Sequence, residues 1–176
     1  MALLENLQTI HHNIDRAARK WERPSGEINL VAVSKRQPPE RISYALQAGH
    51  RLFGENRVQE AYEHWQEHKE SELYSDLKLH LVGPLQTNKV KDAVALFDVI
   101  ETVDREKLAD KLGAAIKEAD KSLPCFIQVN TGEEEQKSGI FPQELTDFLP
   151  FCRDECELDI IGLMCIPPID KPAALH

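Results

Sequence analysis

The chain has 176 residues, 41% of them hydrophobic and 29% charged, and a formal net charge of -9. That length suits one domain with a real core. The acidic balance argues against nucleic acid or an anionic membrane surface as partner, since both call for a basic face.

No apolar run approaches the roughly 20 residues that cross a bilayer. The N-terminus, MALLENLQTIHHNIDRAARKW, lacks the basic and apolar regions of a signal peptide, so the cytoplasm is expected. Residues 2–21 place Leu3, Leu7, Ile10, Ile14, Ala17, Ala18 and Trp21 at the spacing of one helical face. Ser25-Gly26 then breaks the pattern. His11 and His12 on this helix read as surface residues.

From there strands and helices alternate. INLVAVS (28–34) reads as a strand, and PPERISYALQAG (38–49) as a helix with proline in its first turn and Gly49 as its stop. RLFGE (51–55) is a strand. NRVQEAYEHWQEH (56–68) is helical, with Asn56 as N-cap and Val58, Ala61, Tyr62 and Trp65 on one face. LKLHLVG (77–83) is a strand, 85–97 a helix, and DVIETV (98–103) a strand. A helix from Asp104 places Leu108, Leu112, Ala115, Ile116 and Ala119 on one side. PCFIQVN (124–130) is a strand, 141–154 a helix at least to Pro150, and LDIIGLMCI (158–166) the sixth strand.

The helical crossovers make neighbouring strands parallel. The strands are near-continuous apolar runs, so both faces are covered. An open doubly wound sheet and part of a (β/α)8 barrel both fit this pattern. In either, function gathers at the C-terminal ends of the strands. There stand Ser34-Lys35-Arg36, Gly54-Glu55-Asn56, Gly83-Pro84 with Asn88-Lys89, Glu101-Thr102-Asp104, Asn130-Thr131-Gly132, and Met164-Cys165.

Lys35 ends an apolar strand. An amine there is commonly just solvated, but at a sheet rim it can condense with an aldehyde if it is partly deprotonated. FGEN (53–56) reads either as a tight turn opening a helix or as an amide aimed at a ligand. Alternation puts His80 on the side of Lys78 and Val82. It is either a satisfied structural residue or, in a barrel, a group pointing inside. GPLQTNK (83–89) is not a P-loop, and no GxGxxG, HExxH or GxSxG occurs. Glu133-Glu134-Glu135 reads as a solvated loop face. Cys125 and Cys165 lie in strand-like runs and read as buried thiols. Cys152 and Cys156 lack a second ligand pair, so no metal site and a reduced protein are expected.

VAVSK, FGENRVQEA, HLVGPLQTNK, VNTGEEEQKSGI and GLMCIPP stand in this order over essentially the whole chain. In these motifs the sequence resembles the pyridoxal-phosphate homeostasis proteins, the YggS/PROSC family. The resemblance implies a (β/α)8 TIM barrel of the alanine racemase N-terminal type, forming a single domain over residues 1–176. It implies that Lys35 forms an imine with pyridoxal 5′-phosphate, and that Asn56, His80 and Met164 surround that cofactor. Lys89 and Lys137 match further family lysines. Leu79 stands where many members carry tryptophan. Family members continue for roughly 50 more residues to the usual barrel size, so about two β/α units and the phosphate-holding segment are not in this sequence.

The function implied is cofactor holding in pyridoxal-phosphate homeostasis without established turnover. Apo-enzymes that use the cofactor are the implied recipients, and a monomer is expected. Two rivals stay open. A racemase-like enzyme would need an acid/base on each face of the substrate. A shortened scaffold would bind the cofactor weakly or not at all.

Overall fold

A computed structural model describes residues 2–168. Six strands form one parallel sheet: β1 (Ala32–Val33), β2 (Leu52–Glu55), β3 (Lys78–Leu81), β4 (Val99–Val103), β5 (Cys125–Gln128) and β6 (Ile160–Met164). Their spatial order is their chain order. A doubly wound sheet reverses direction at a switch point, whereas a barrel adds every strand on the same side. The order therefore decides between the two readings, in favour of the barrel type. β1 and β6 are not paired with each other, so the sheet is open. The Pro-rich end after Pro168 lies outside the described residues.

The helices are α1 (Ala2–Lys20), α2 (Pro39–Gln47), α3 (Val58–Glu70), α4 (Val90–Leu96), α5 (Glu106–Glu118) and α6 (Leu145–Pro150). Successive helices pack side by side: α1 on α2, α3 on α4, α4 on α5. The core lies between them and one face of the sheet. Phe53, Leu79, Ile100 and Ile127 point into it and are at most 1% exposed. Trp65 of α3 meets Phe53 at a ring separation of 4.5 Å.

Local polar contacts set the joints. Lys121 donates to the carbonyls of Val94 (2.7 Å) and Phe97 (2.8 Å), covering acceptors that the end of α4 leaves open. Asp98 takes two bonds from Lys69 Nζ and one, at 2.7 Å, from the Leu79 N–H, tying α3 to β3.

Several expectations are corrected. Only Ala32 and Val33 of the run 28–34 are strand, the two residues that pair with Phe53 and Gly54 of β2. Asn56 is not the N-cap of α3. Arg57 holds that position, without a side-chain cap, and Asn56 stays at the strand mouth. The helix expected over 85–97 starts at Val90, after a 3-10 turn over Thr87–Lys89. The helix expected over 141–154 is a 3-10 turn, the short α6, and a π turn over Phe151–Glu155. Trp21 is exposed, since α1 ends at Lys20 and Glu22 turns the chain with φ 53, and Ile10 is exposed within α1. Cys165 is exposed because it follows the end of β6.

Candidate functional site

The chain leaves β1 through a turn over Ser34, Lys35, Arg36 and Gln37, closed by the Gln37 N–H donating to the Ser34 carbonyl at 3.0 Å. Arg36 sits at φ 57, a region unfavourable for a side-chain-bearing residue unless neighbours hold it. They do. The Ser34 N–H donates to the Gly54 carbonyl at 2.9 Å, and the Ser34 hydroxyl donates to Glu55 Oε1 at 2.7 Å. The Arg36 N–H donates to Glu60 Oε1. Lys35 stands between these anchors, exposed. The register of Val33 with Gly54 shows which face the odd-numbered residues of β1 take. Val31 shares that face, where a Cβ on Gly54 would meet it at 3.0 Å.

Glu55 is 0% exposed on the opposite, helix-covered face. Its Oε1 also accepts from His64 Nδ1 (2.9 Å) and Trp65 Nε1 (3.1 Å). Three donors on one oxygen offset the desolvation of a buried carboxylate. Its Oε2 has no partner among the described residues. Sequence reasoning assigned Glu55 no role. Alternation with Phe53 puts an acid on the apolar face, and that was the available signal.

On the inner face, His80 lies beside Gly54 in register. Its Nδ1 is 2.6 Å from Glu101 Oε1, and both side chains are largely buried. A carboxylate accepts, so Nδ1 donates, and Nε2 is the acceptor when the ring is neutral. The placement of His80 inside the sheet matches the expectation, but its pairing with Glu101 was not legible. Met164 is half-buried and pairs in register with Gln128, which is 6% exposed. Gln128 donates to the Ser138 carbonyl, while its Oε1 is buried without a partner among the described residues.

Asn56, half-buried, lines two openings at the strand mouths. One is a cavity of about 180 Å³ that also involves Gly83, Gln128 and Lys137. The other is a cleft of about 680 Å³ that also involves Arg57, Lys89 and Arg105. Lys137 pairs with Glu134 at 2.6 Å and Lys89 with Asp92 at 3.2 Å. Glu134, expected on a solvated face, is half-buried: its backbone and the Asn130 side chain exchange two hydrogen bonds. Lys35, His80 and Met164 line neither opening. A third cleft, between α5 and α6, holds none of the expected site residues.

These residues fit a pyridoxal phosphate in part. The exposed Lys35 amine matches the aldehyde, and Lys89 and Lys137 at the mouths match the anion, whereas the buried Gln128 Oε1 matches neither, since aldehyde and phosphate oxygens only accept. Three of the cysteines are buried, and burial pushes Cys125, Cys152 and Cys156 up to about 12, so they are neutral thiols. No helix among the described residues is long and apolar enough to cross a membrane.

Residues 6–173 match the profile of the alanine racemase N-terminal domain. The pyridoxal phosphate homeostasis protein of Pasteurella multocida is 40% identical over 174 residues, covering 98% of this chain and 74% of its own. Its namesake in Escherichia coli K12 is 36% identical over 165 residues, covering 94% of this chain and 70% of its own. Among solved structures, PipY of Synechococcus elongatus with PLP bound is 36% identical with a TM-score of 0.74, covering 92% of this chain and 73% of its own. A histidine racemase from Leuconostoc mesenteroides is 14% identical at a TM-score of 0.67, which speaks for the fold alone. The chain belongs to the alanine racemase N-terminal domain family, with the pyridoxal phosphate homeostasis proteins as its relatives.

Proposed function

We propose that this chain binds pyridoxal 5′-phosphate at the C-terminal mouth of its sheet and serves in holding the cofactor within the cell. The carrying observation is the Lys35 amine, exposed on an anchored turn at the end of β1. A relative of known structure binds PLP, which supports the same ligand here. When bound, that group supplies an aldehyde carbon open to an amine and a phosphate dianion.

Each side chain then has a task. Lys35 offers the amine. His80, oriented by Glu101, presents Nε2 as an acceptor on the inner face. Asn56 offers a donor and an acceptor at the mouth of β2. Met164 gives a polarizable apolar wall. Lys89 and Lys137 add positive charge beside the openings, where an anion is favoured.

Holding, rather than turnover, is the reading that the relatives' names support. A racemase needs a proton donor and acceptor on opposite faces of its substrate. His80 on the inner face is already paired with Glu101. The proposal includes a single barrel-type domain, a monomer, a cytoplasmic setting and PLP-dependent apo-enzymes as recipients.

The test is borohydride trapping followed by peptide mapping. The unsubstituted protein should carry one reduced cofactor on Lys35, and Lys35→Ala none. Trapping spread over several lysines, or undiminished in Lys35→Ala, would refute the proposal. Loss of chirality from an added amino acid would instead support an enzyme.

A further inference from the structure

The turn that carries Lys35 is held from the outside of the sheet. Its two flanking residues are bonded to the segment running from β2 into α3, Ser34 through its hydroxyl to Glu55 and Arg36 through its backbone N–H to Glu60. Glu55 is in turn fixed by His64 and Trp65 of α3. The amine-bearing residue is thus clamped on both sides while its own side chain stays free.

Glu55, Glu60 and His64 offer ligand atoms within 4.8 Å of one another, a spacing that a divalent cation could bridge. The donors already on them argue otherwise. Glu55 Oε1 takes three, and Glu60 Oε1 takes the Arg36 N–H. These carboxylates are engaged in holding backbone and side chains.

We propose that Glu55, with Ser34 and Glu60, is a positioning residue for Lys35, fixing the turn so that the amine meets the cofactor at the mouth of the sheet. This rests on the reading that Lys35 is the cofactor-bearing amine. The physical reason is the strained Arg36. With φ 57 it adopts an unfavourable backbone conformation that persists only while neighbours enforce it. Release of either anchor lets the turn relax and moves Lys35, and a misplacement of about 1 Å in such a step costs up to about 10²-fold.

The test uses Ser34→Ala, Glu60→Ala and Glu55→Gln, with Glu67→Ala on the exposed side of α3 as a control. Because Glu55→Gln buries an amide in place of an acid and can fail to fold, the other two keep the inference falsifiable. Two measurements are made on each protein. Amide exchange at Arg36 is read without cofactor, and borohydride-trapped adduct formation is read as a function of added pyridoxal 5′-phosphate. Ser34→Ala and Glu60→Ala should speed Arg36 exchange. They should also lower the saturating rate of adduct formation about ten-fold, with the half-saturating concentration unchanged. A merely structural role would lower the unfolding midpoint without that split.

Unchanged Arg36 exchange and saturating rate in both variants would overturn the inference. If the unsubstituted protein forms no adduct at Lys35, the functional reading fails instead. The clamp is then judged on Arg36 exchange alone, supported if the variants speed it and overturned if they do not.

Discussion

Gly83, just beyond β3, faces the backbone of Asn56 so closely that a Cβ there would lie 2.2 Å from the Asn56 carbonyl oxygen and 2.6 Å from its Cα. Real Cβ contacts scarcely fall below 3.0 Å, so Gly83→Ala must part the two strand mouths by about 0.8 Å. Both partners are backbone, and no rotamer change relieves the overlap. Overpacking of this kind costs about 1–3 kcal/mol. With a urea m-value of about 2 kcal/mol/M, a 2 kcal/mol loss moves the unfolding midpoint by about 1 M. The same displacement falls on Asn56, which lines both openings. Adduct formation should therefore fall about 10- to 100-fold.

Gly113 of α5 supplies the control. A Cβ there would meet the Cys156 carbonyl at 2.1 Å, a similar clash on the helical side. Gly113→Ala should lose comparable stability while keeping cofactor trapping. The assays are urea unfolding followed by circular dichroism, and borohydride trapping under conditions where each variant is fully folded. A Gly83→Ala protein with an unaltered midpoint would refute the close approach. Equal loss of trapping in both variants would refute the link through Asn56.

Three further outcomes follow from the same geometry. In the native protein one thiol, Cys165, should react quickly with an aromatic disulfide reagent, and Cys125, Cys152 and Cys156 only on unfolding; fast reaction of more than one contradicts their burial. Nitrogen NMR of the cofactor-free protein should find His80 protonated at Nδ1, and Glu101→Leu should shift it toward the Nε2–H form. An unprotonated Nδ1 in the unsubstituted protein would contradict the pair. His50 titrates below its usual 6.5, chiefly because it is buried, with His11 and Arg51 adding to the effect against its bond to the Leu52 carbonyl. The unfolded chain then takes up this proton first as pH falls, so the contribution to stability is full above 6.5 and declines below it until folded His50 titrates. His50→Gln should flatten the thermal-melting profile over that range, and an identical slope would count against it.

Two covered faces were expected of the sheet, yet the core lies on one, with Leu79 and Leu81 buried and Lys78 exposed; the sequence alone did carry the alternation of helices and strands and their parallel sense. It did so because a period of 3.6 and an unbroken apolar run are local properties. The motifs around Lys35, Asn56, His80 and Met164 also stand in the sequence as written. The strand order came from the folded sheet, since helical crossovers of similar length serve an open sheet and a barrel alike. Only the structure moved Asn56 off the α3 cap: Asn is the better capping residue, yet Arg57 takes the position without a side-chain cap, so the path of the chain out of β2 overrides the local preference. The pairing of His80 with Glu101, 21 residues apart, and the contact of Ser34 with Glu55, also 21 apart, depend on register between strands. Register is set by packing across the whole sheet, and no local pattern around either residue carries it.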